Sequence, residues 1–337
     1  VTDKYLLTAN GNEGICVYDK KDNTLLNTIH TGYIVKELQI DGNYLYSAED
    51  AGGIAIYDLN SIQNNGVKPL YRYDATTLGK TDNVKLVQTI RCDSAKSGHP
   101  LAVNQYDISK SVTAVAISEI RIADYNGKKY MLMHAGGSWA YIADVTDISN
   151  VKVVYKCMIN SGLMYARNFV QNVVEDKYFV LSANSVGFVY LNIDGRGIAR
   201  NSENTDYLYH NAWRTSPTAV RLGVIGNGIT TVNMNGEYKV MFTTGHGYRI
   251  LDREVQSIYD NPIYGNVVGG WPVVLGDVLV VSNRVGGILS VYDISDITNP
   301  SQIAYYETNA SPDLAIRDGN TLYVPIGNYG FMIINLD

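Results

Sequence analysis

Cysteine is scarce in this chain, with three residues in 337, at Cys16, Cys92 and Cys157. An odd number at such wide spacing predicts neither a disulfide framework nor a zinc ribbon. The chain also lacks an uninterrupted apolar run of about 18 residues, so its sequence predicts no membrane-spanning helix. Sustained helical periodicity is missing as well, which disfavours an α/β fold.

Basic residues are too few and too scattered for a nucleic-acid-binding protein. Lys and Arg never form a run longer than two, the formal net charge is −6 and the pI is about 5.4. Binding to nucleic acid would need a basic stripe. The composition, 46% hydrophobic and 18% charged, instead predicts a chain that buries a core and is not disordered.

The common catalytic and cofactor motifs are absent. No HExxH, CxxC, GxSxG or P-loop occurs, and no two histidines lie close enough in sequence to suggest a local metal pair. The segment 194–206, DGRGIARNSENTD, carries oxygen ligands without the spacing of a calcium loop. We therefore expect a solvated loop there, and we predict no metal and no cofactor.

Tyrosine outnumbers phenylalanine 27 to 5, and Asn and Gly are abundant. Enrichment in Tyr and Asn is common on extracellular and glycan-facing surfaces. The chain opens at Val1 with neither a Met nor a signal peptide, so we expect a mature or trimmed form. These features predict a secreted or cell-surface protein, and they leave flanking domains and assembly partners open.

One pattern recurs along the whole chain. The unit is an alternating apolar strand, a turn with Gly or Asn, and a second strand that ends in Tyr-Asp or a similar pair, as in NYLYSAEDAGGIAIYD. Each unit predicts a β-hairpin. Seven copies occur, at 4–19, 43–58, 129–144, 177–192, 237–252, 277–293 and 320–335.

Further strand-like runs flank the hairpins. YIVKELQI (33–40) and VAISEIRI (115–122) precede hairpins, and QIAYYET (302–308) follows one. An upstream strand, a hairpin and a downstream strand make a four-stranded antiparallel sheet. One such sheet cannot cover both its faces, but copies packed around an axis can. The sequence therefore predicts an all-β fold, a β-propeller of four-stranded antiparallel blades with seven blades, eight being possible.

The sixth copy also resembles a known family. The segment 286–300, GGILSVYDISDITNP, is similar to the LVIVD-repeat β-propellers, in which a strand ends in Val-Tyr-Asp-Ile-Ser-Asp and a Pro soon follows. The last copies match this pattern well and the middle copies match it loosely. The resemblance implies a propeller of the kind found in extracytoplasmic bacterial or archaeal proteins. It implies no single activity and transfers no catalytic residues.

Two features depart from a regular ring. The hairpins that end at Asp58 and Asp144 are 86 residues apart, twice the usual period, and we interpret about 75–112 as an insertion, with a degenerate eighth blade as the alternative. The first copy lacks an upstream strand and the last lacks a downstream one. We expect about 20 residues preceding Val1 to supply them, or an imperfectly closed ring. The range 1–337 is predicted to be a single propeller domain.

In a propeller, the hairpin turns and the links from each outer strand to the next inner strand share one rim, where binding residues are often found. Four of the five histidines fall there: His30 and His210 in links, and His134 and His246 in hairpin turns. Arg presents a planar fork suited to a carboxylate, and exposed aromatic rings stack on sugar faces. The predicted ligand-binding residues are Arg214, Trp213, His246, Tyr264, Trp271, Arg284, His30 and His134.

The same rim offers two catalytic hypotheses. Tyr165 and His210 would act as a base and acid pair on a uronic acid, with Arg167 or Arg214 neutralising its carboxylate, as β-elimination requires. Polysaccharide lyases with a propeller fold carry residues of these types. Alternatively, two carboxylates would hydrolyse a glycoside, the candidates being Glu13, Glu49, Asp50 and Glu307. These carboxylates could equally bind a cation or keep the surface soluble.

These rim residues also have a purely structural interpretation, in which Arg and His pair with carboxylates between blades. Trp213 and Trp271 then fill space between the blades. We expect an extracytoplasmic propeller that binds a glycan or a protein partner through this rim. The first alternative is a polysaccharide lyase or glycoside hydrolase. The second is a structural module of a surface assembly.

Overall fold

The computed structural model describes residues 1–80, 84, 86–91, 102–105, 116–136, 139–160, 168–169, 173–182, 187–199, 209–211, 229–244, 247–251, 257–261, 271–284 and 286–336. These ranges are dominated by β-strands, with one short α-helix, α1 (Ala75–Gly79), and one 3₁₀ helix, Gly327–Tyr329. The strands fall into two compact units. None of the helices within the described ranges is long and apolar enough to cross a membrane.

The first unit holds three sheets of described strands, and the segment Ile193–Gly197 also belongs to it. The first sheet contains β1 (Tyr5–Ala9), β2 (Ile15–Asp19) and β3 (Leu25–Ile29). The second contains β4 (Glu37–Asp41), β5 (Tyr44–Ala48), β6 (Ile54–Asp58) and β7 (Tyr71–Tyr73). The third contains β8 (Leu86–Arg91), β9 (Ala102–Gln105), β10 (Ile117–Tyr125), β11 (Lys128–Ala135), β12 (Trp139–Asp144) and β13 (Lys152–Asn160).

The second unit holds four sheets of described strands. The fourth sheet contains β14 (Asn168–Phe169), β15 (Tyr178–Ser182), β16 (Gly187–Asn192) and β17 (Tyr209–Asn211). The fifth contains β18 (Ile229–Met234), β19 (Glu237–Thr244), β20 (Gly247–Leu251) and β21 (Ser257–Asn261). The sixth contains β22 (Trp271–Leu275), β23 (Val278–Asn283), β24 (Ile288–Asp293) and β25 (Ser301–Glu307), and the seventh contains β26 (Ile316–Asp318), β27 (Thr321–Pro325) and β28 (Phe331–Asn335).

Each of the seven predicted hairpins is found, and each lies in a different sheet; the copy at 277–293, for example, forms β23 and β24. Four sheets have the predicted up-and-down order of four antiparallel strands. In the described residues the first sheet has no upstream strand and the seventh no downstream one. Within 75–112, β8 pairs in parallel with β13 and β9 pairs with β8, so both strands extend the third sheet.

Within each unit, consecutive sheets pack face to face. In the second unit, apolar clusters join the fourth sheet to the fifth, the fifth to the sixth and the sixth to the seventh. Leu279 and Val281 of β23 enter the cluster with the fifth sheet, while Val278 and Val280 enter the cluster with the seventh. A strand covered on both faces is apolar at successive positions, which accounts for the run VLVV.

Tyrosine serves the core more than the surface. Ten of the described tyrosines are buried, and Phe179 is buried with them. The ring packs while the hydroxyl reaches a polar partner: Tyr248 donates to the Ile297 carbonyl at 2.7 Å, and Tyr73 to the Ile148 carbonyl at 2.8 Å. Much of the tyrosine enrichment therefore reflects sheet packing, which weakens it as a sign of an extracellular surface.

One glycine recurs just before the third strand of the repeat, because the space there excludes a side chain. Gly14, Gly53 and Gly287 all have positive φ, and a Cβ would lie 2.0, 2.0 and 2.3 Å from a carbonyl oxygen at the end of the fourth strand. The equivalent Gly330 has a φ of +88° and no such neighbour within 4 Å. The described part of the seventh sheet ends at β28, so no fourth strand passes this glycine there.

The Asp-Ile-Ser-Asp signature forms two local turns between the third and fourth strands. Asp293 accepts the Ser295 amide at 2.8 Å, and Asp296 accepts the Thr298 amide at 2.9 Å and its hydroxyl at 2.6 Å. These Asx turns hold the pKa of Asp296 below its ordinary value. The same bonds recur at the pairs Asp19 and Asp22, and Asp144 and Asp147. The residues that carry the family resemblance are therefore engaged with their own backbone.

Candidate functional site

The hairpin end of a sheet carries the turn between its second and third strands and the link that leaves its fourth strand. Four of the predicted site residues have described side chains: His30 and His134 in the first unit, and Trp271 and Arg284 in the second. His210 lies in β17, but its side chain is outside what the structure describes. The remaining predicted residues lie outside the described ranges: Tyr165, Arg167, Trp213, Arg214, His246 and Tyr264.

Trp271 and Arg284 come together at the hairpin end of the sixth sheet. Trp271 is the first residue of β22 and pairs with Ser282 of β23, and Arg284 follows β23 directly. This register brings the Arg284 Cζ to 4.3 Å from the centre of the Trp271 ring, a cation–π contact. Two residues that the sequence predicts as ligand-binding therefore form one cluster.

Asp313 completes this cluster. It lies in the link between β25 and β26, and its Oδ1 accepts hydrogen bonds from Arg284 Nη2 and from the Leu314 amide at 2.8 Å. Its backbone is held as well, because its amide donates to the Pro325 carbonyl and its carbonyl accepts the Ser282 hydroxyl at 2.7 Å. Asp313 is a site residue that the sequence did not reveal.

The cluster leaves hydrogen-bonding groups open. Arg284 Nε is buried and has no partner in the described part of the chain. An unpaired buried donor costs about 1–3 kcal/mol, which the contact with Trp271 offsets in part. The side chains of Arg284 and Asp313 are 35% and 44% exposed, and Trp271 is half-buried. We name Trp271, Arg284 and Asp313 the tryptophan–arginine site.

His30 and His134 make separate local contacts in the first unit. His30 is exposed in the link before β4, as predicted, and its Nδ1 lies 3.1 Å from the Glu13 carbonyl oxygen. The sequence predicts His134 in a hairpin turn, and this is wrong, because β11 continues to Ala135. Its Nδ1 lies 2.8 Å from Ser118 Oγ, beside an irregularity in the pairing of β10 and β11.

Glu49 is not the solvated carboxylate that its turn position suggests. It is fully buried, accepts a hydrogen bond from Tyr57 at 3.0 Å and pairs with Arg72, whose guanidinium stacks on Tyr33. Burial raises the pKa of Glu49 against the opposing effect of Arg72 and Tyr57. Arg72 thus joins a buried carboxylate to the Tyr33 ring, and these contacts fix the hairpin end of the second sheet.

The other candidate carboxylates have different surroundings. Glu13 and Glu307 are exposed, and the backbone of Asp50 pairs with Ile117 of the third sheet. In the described residues, no group of three or more His, Cys, Asp or Glu side chains has the arrangement of a metal site. The glycoside hydrolase hypothesis stays a prediction from the sequence, and Glu49 is the candidate carboxylate already bound to Arg72 and Tyr57.

Lys156 is a fully buried cation that sequence reasoning missed. Its ammonium donates to the carbonyls of Gly79 at 2.5 Å and Lys80 at 3.3 Å, and lies 4.7 Å from the Tyr141 ring centre. Burial lowers its pKa to about 8. Since these carbonyls end α1, Lys156 caps the helix and anchors it on β13.

Comparisons with known proteins come from structures alone. No family model matches the chain, and no curated protein matches its sequence. The WD40 domain of Neurospora crassa Pan2 is similar, with a TM-score of 0.57 and 9% identity over 98% of this chain and 85% of that one. The computationally designed Ika8 protein has a TM-score of 0.54 and 10% identity, over 99% and 94%. NirN, a dihydro-heme d1 dehydrogenase solved with DHE, has a TM-score of 0.50 and 12% identity, over 99% of this chain and 61% of NirN.

These similarities show the fold and nothing finer. The Pan2 domain and NirN are β-propellers. With the seven sheets of the described residues, which are antiparallel except where β8 pairs with β13, they confirm the predicted fold class. Membership of the LVIVD-repeat family is not shown by these matches, since no family model fits. The chain has an all-β fold of the propeller type.

Proposed function

We propose that this protein is a ligand-binding β-propeller that acts outside the cytoplasm and recognises a glycan or a protein partner at the tryptophan–arginine site. One observation carries the proposal: Trp271, Arg284 and Asp313 join at a hairpin end, partly exposed, and among the described residues not every polar group of the cluster finds a hydrogen-bond partner. Trp and Arg are the residues most often found at binding hot spots. Loops held by a rigid scaffold are the usual place for such residues.

The test is retardation in affinity gels that contain single polysaccharides, neutral and acidic. Trp271→Ala should be retarded less than the wild type, with a dissociation constant at least about 10-fold higher, because a central aromatic anchor contributes about 2 kcal/mol. Tyr71→Ala is the matched control, an exposed aromatic on the outer strand β7 of another sheet. Equal retardation of all three proteins would contradict a glycan site at Trp271.

A protein partner needs its own arm of the test. A photo-crosslinking residue at position 284, introduced in the producing cells, should capture a discrete partner that the same residue at position 71 does not. Protease accessibility on intact cells tests the extracytoplasmic location. If neither position captures a partner and no polysaccharide retards the protein, the proposed site is wrong.

A second candidate function is a structural module in an assembly, and exposed apolar residues on the outer strands favour it. Leu25 of β3 is 55% exposed and Ile303 of β25 is 48% exposed. Outer strands that present apolar groups are prone to pair with other chains. Sedimentation velocity of Leu25→Ser and Ile303→Ser should show loss of self-association if these strands are interfaces, and no change from the wild type if they are not.

The lyase hypothesis remains a prediction from the sequence, because Tyr165 and Arg167 lie outside the described residues. Ultraviolet absorbance of unsaturated uronate on the same acidic polysaccharides tests it directly. Product that disappears in Tyr165→Phe would make the protein an enzyme.

A further inference from the structure

The tryptophan–arginine site is electrically neutral, which bears on what it binds. The inference rests on the proposed function, namely that this site holds a ligand. Arg284 and Asp313 form an ion pair through one guanidinium nitrogen and one carboxylate oxygen, Nη2 and Oδ1. Within the described residues, Arg284 Nη1 and Asp313 Oδ2 make no hydrogen bond. The paired guanidinium and carboxylate therefore keep one donor nitrogen and one acceptor oxygen for a ligand.

This pairing selects between ligand charges. An acidic sugar brought to Arg284 would also approach the Asp313 carboxylate, and an amino sugar brought to Asp313 would approach the guanidinium. Asp313 cannot easily turn away, because its Oδ1 also accepts the Leu314 amide and its backbone is bonded at both ends. Like charges at such distances are unfavourable. The fixed pair thus disfavours the uronic acid that an isolated arginine would suit.

A hydroxyl both donates and accepts a hydrogen bond. Two adjacent hydroxyls on a sugar ring can therefore donate to Asp313 Oδ2 and accept from Arg284 Nη1 at once. Trp271 supplies an apolar surface next to them, suited to the C–H groups of a sugar ring. Because the guanidinium lies on the indole, Trp271 also holds the donor in place before a ligand arrives.

We propose that the tryptophan–arginine site binds a neutral glycan through two vicinal hydroxyls, with Asp313 as acceptor, Arg284 as donor and Trp271 as the apolar contact. Recognition then depends on adjacent free hydroxyls and only weakly on ionic strength, since the ligand carries no charge and the two charges of the site neutralise each other.

The experiment compares two neutral glucans in affinity gels. Dextran carries adjacent free hydroxyls on its glucose units, whereas the internal units of linear curdlan oligosaccharides carry none. Dextran should retard the protein at least about 10-fold more strongly than curdlan oligosaccharides. Dextran that has been cleaved with periodate and reduced should lose this effect, because periodate breaks the bond between vicinal hydroxyl carbons. These comparisons use only the wild-type protein, so misfolding of a variant cannot affect their result.

Asp313→Asn and Asp277→Asn supply the matched pair of variants. Both remove a carboxylate that pairs with an arginine, but Asp277 lies at the opposite end of the sixth sheet. Asp313→Asn should lower affinity for dextran about 10-fold, and Asp277→Asn should leave it unchanged.

The contrary outcomes separate the two proposals. Binding of polygalacturonate alone, strengthened in Asp313→Asn, would overturn the vicinal-diol inference and keep the binding function. Equal binding of dextran, curdlan oligosaccharides and periodate-cleaved dextran would also overturn the inference. Glycan binding that Trp271→Ala leaves unchanged would overturn the proposed function itself.

Discussion

Two arginine–aspartate pairs sit at opposite ends of the sixth sheet and make different use of the guanidinium. Arg317 pairs with Asp277, donates from Nε to the Gly319 carbonyl and from Nη1 to the Leu275 carbonyl, both at 2.8 Å. Arg284 pairs with Asp313 and lies on Trp271, and its buried Nε has no partner among the residues that the structure describes. An arginine bonded to the backbone on two sides holds turns together. The Arg284 guanidinium is partly exposed at the hairpin end, and its Nη1 is available to a ligand.

The largest expected effect concerns the turn that carries Arg284. Gly287→Ala should lower the free energy of unfolding by about 2–4 kcal/mol, because φ is +64° and the new Cβ would lie 2.3 Å from the Thr308 carbonyl oxygen. Gly276→Ala, at the other end, meets only Arg317 at 3.3 Å and should cost about 1 kcal/mol. Chemical denaturation of both variants measures the difference. Equal costs would mean that the hairpin end is not the tighter one.

The two arginines should separate stability from binding. Arg317→Ala should destabilise the protein by about 1–2 kcal/mol, since it leaves the Leu275 and Gly319 carbonyls without their donor. Arg284→Ala should change stability by less than about 1 kcal/mol, as expected for a partly exposed ion pair, while weakening ligand binding. Thermal melts and affinity gels on both proteins test the contrast. Loss of binding in Arg317→Ala without unfolding would break the comparison.

Gly330→Ala tests whether a further strand passes beside β28 of the seventh sheet. Positive φ alone predicts a cost of about 1 kcal/mol, because the described structure places nothing within 4 Å of the new Cβ. Gly287→Ala is the internal reference at the equivalent position of the sixth sheet. A cost for Gly330→Ala as large as that of Gly287→Ala would show that a backbone passes beside β28 in solution.

The smallest effect is a dependence on pH at the opposite end. The hydrogen bond from Arg317 lowers the pKa of Asp277 below its ordinary value of about 4. The unfolded chain therefore binds the proton more readily, and the contribution of this pair is present above about pH 4 and is lost as the pH falls through the lowered pKa. Asp277→Asn should flatten the decline of the urea midpoint between about pH 5 and 3. Parallel declines in both proteins would assign the acid sensitivity to other carboxylates.

The fold could be predicted from the sequence because its determinants are local and repeated. The hairpin at 277–293 combines a continuous apolar strand, a glycine pair and the Asx turns at Asp293 and Asp296, and it folds as β23 and β24. Boundaries were less predictable where contacts between sheets decide them. The upstream run 33–40 forms a strand only from Glu37, since Val35 instead pairs with Gly11 of the first sheet.

The sequence predicted which types of residue form the site, but only in part which of them contact one another. The sequence pointed to Trp271 and Arg284 as members of one rim, but not to their contact or to Asp313, which lies 29 residues beyond Arg284 in a link without a motif. Glu49 shows the converse error: a charged residue in a hairpin turn suggests solvent, yet Arg72 and Tyr57 bury it.

The sequence by itself determined the repeat, the strands and the turns, because hydrogen bonds and steric limits within a few residues select them. The tertiary structure alone decided which charges are neutralised. Ion pairs such as Arg284–Asp313 and Arg72–Glu49 join residues from different strands and links, and only the pairing of strands within a sheet and the packing between sheets set those distances. An isolated Arg284 would suit an acidic ligand, but its position beside Asp313 makes it part of a neutral ion pair.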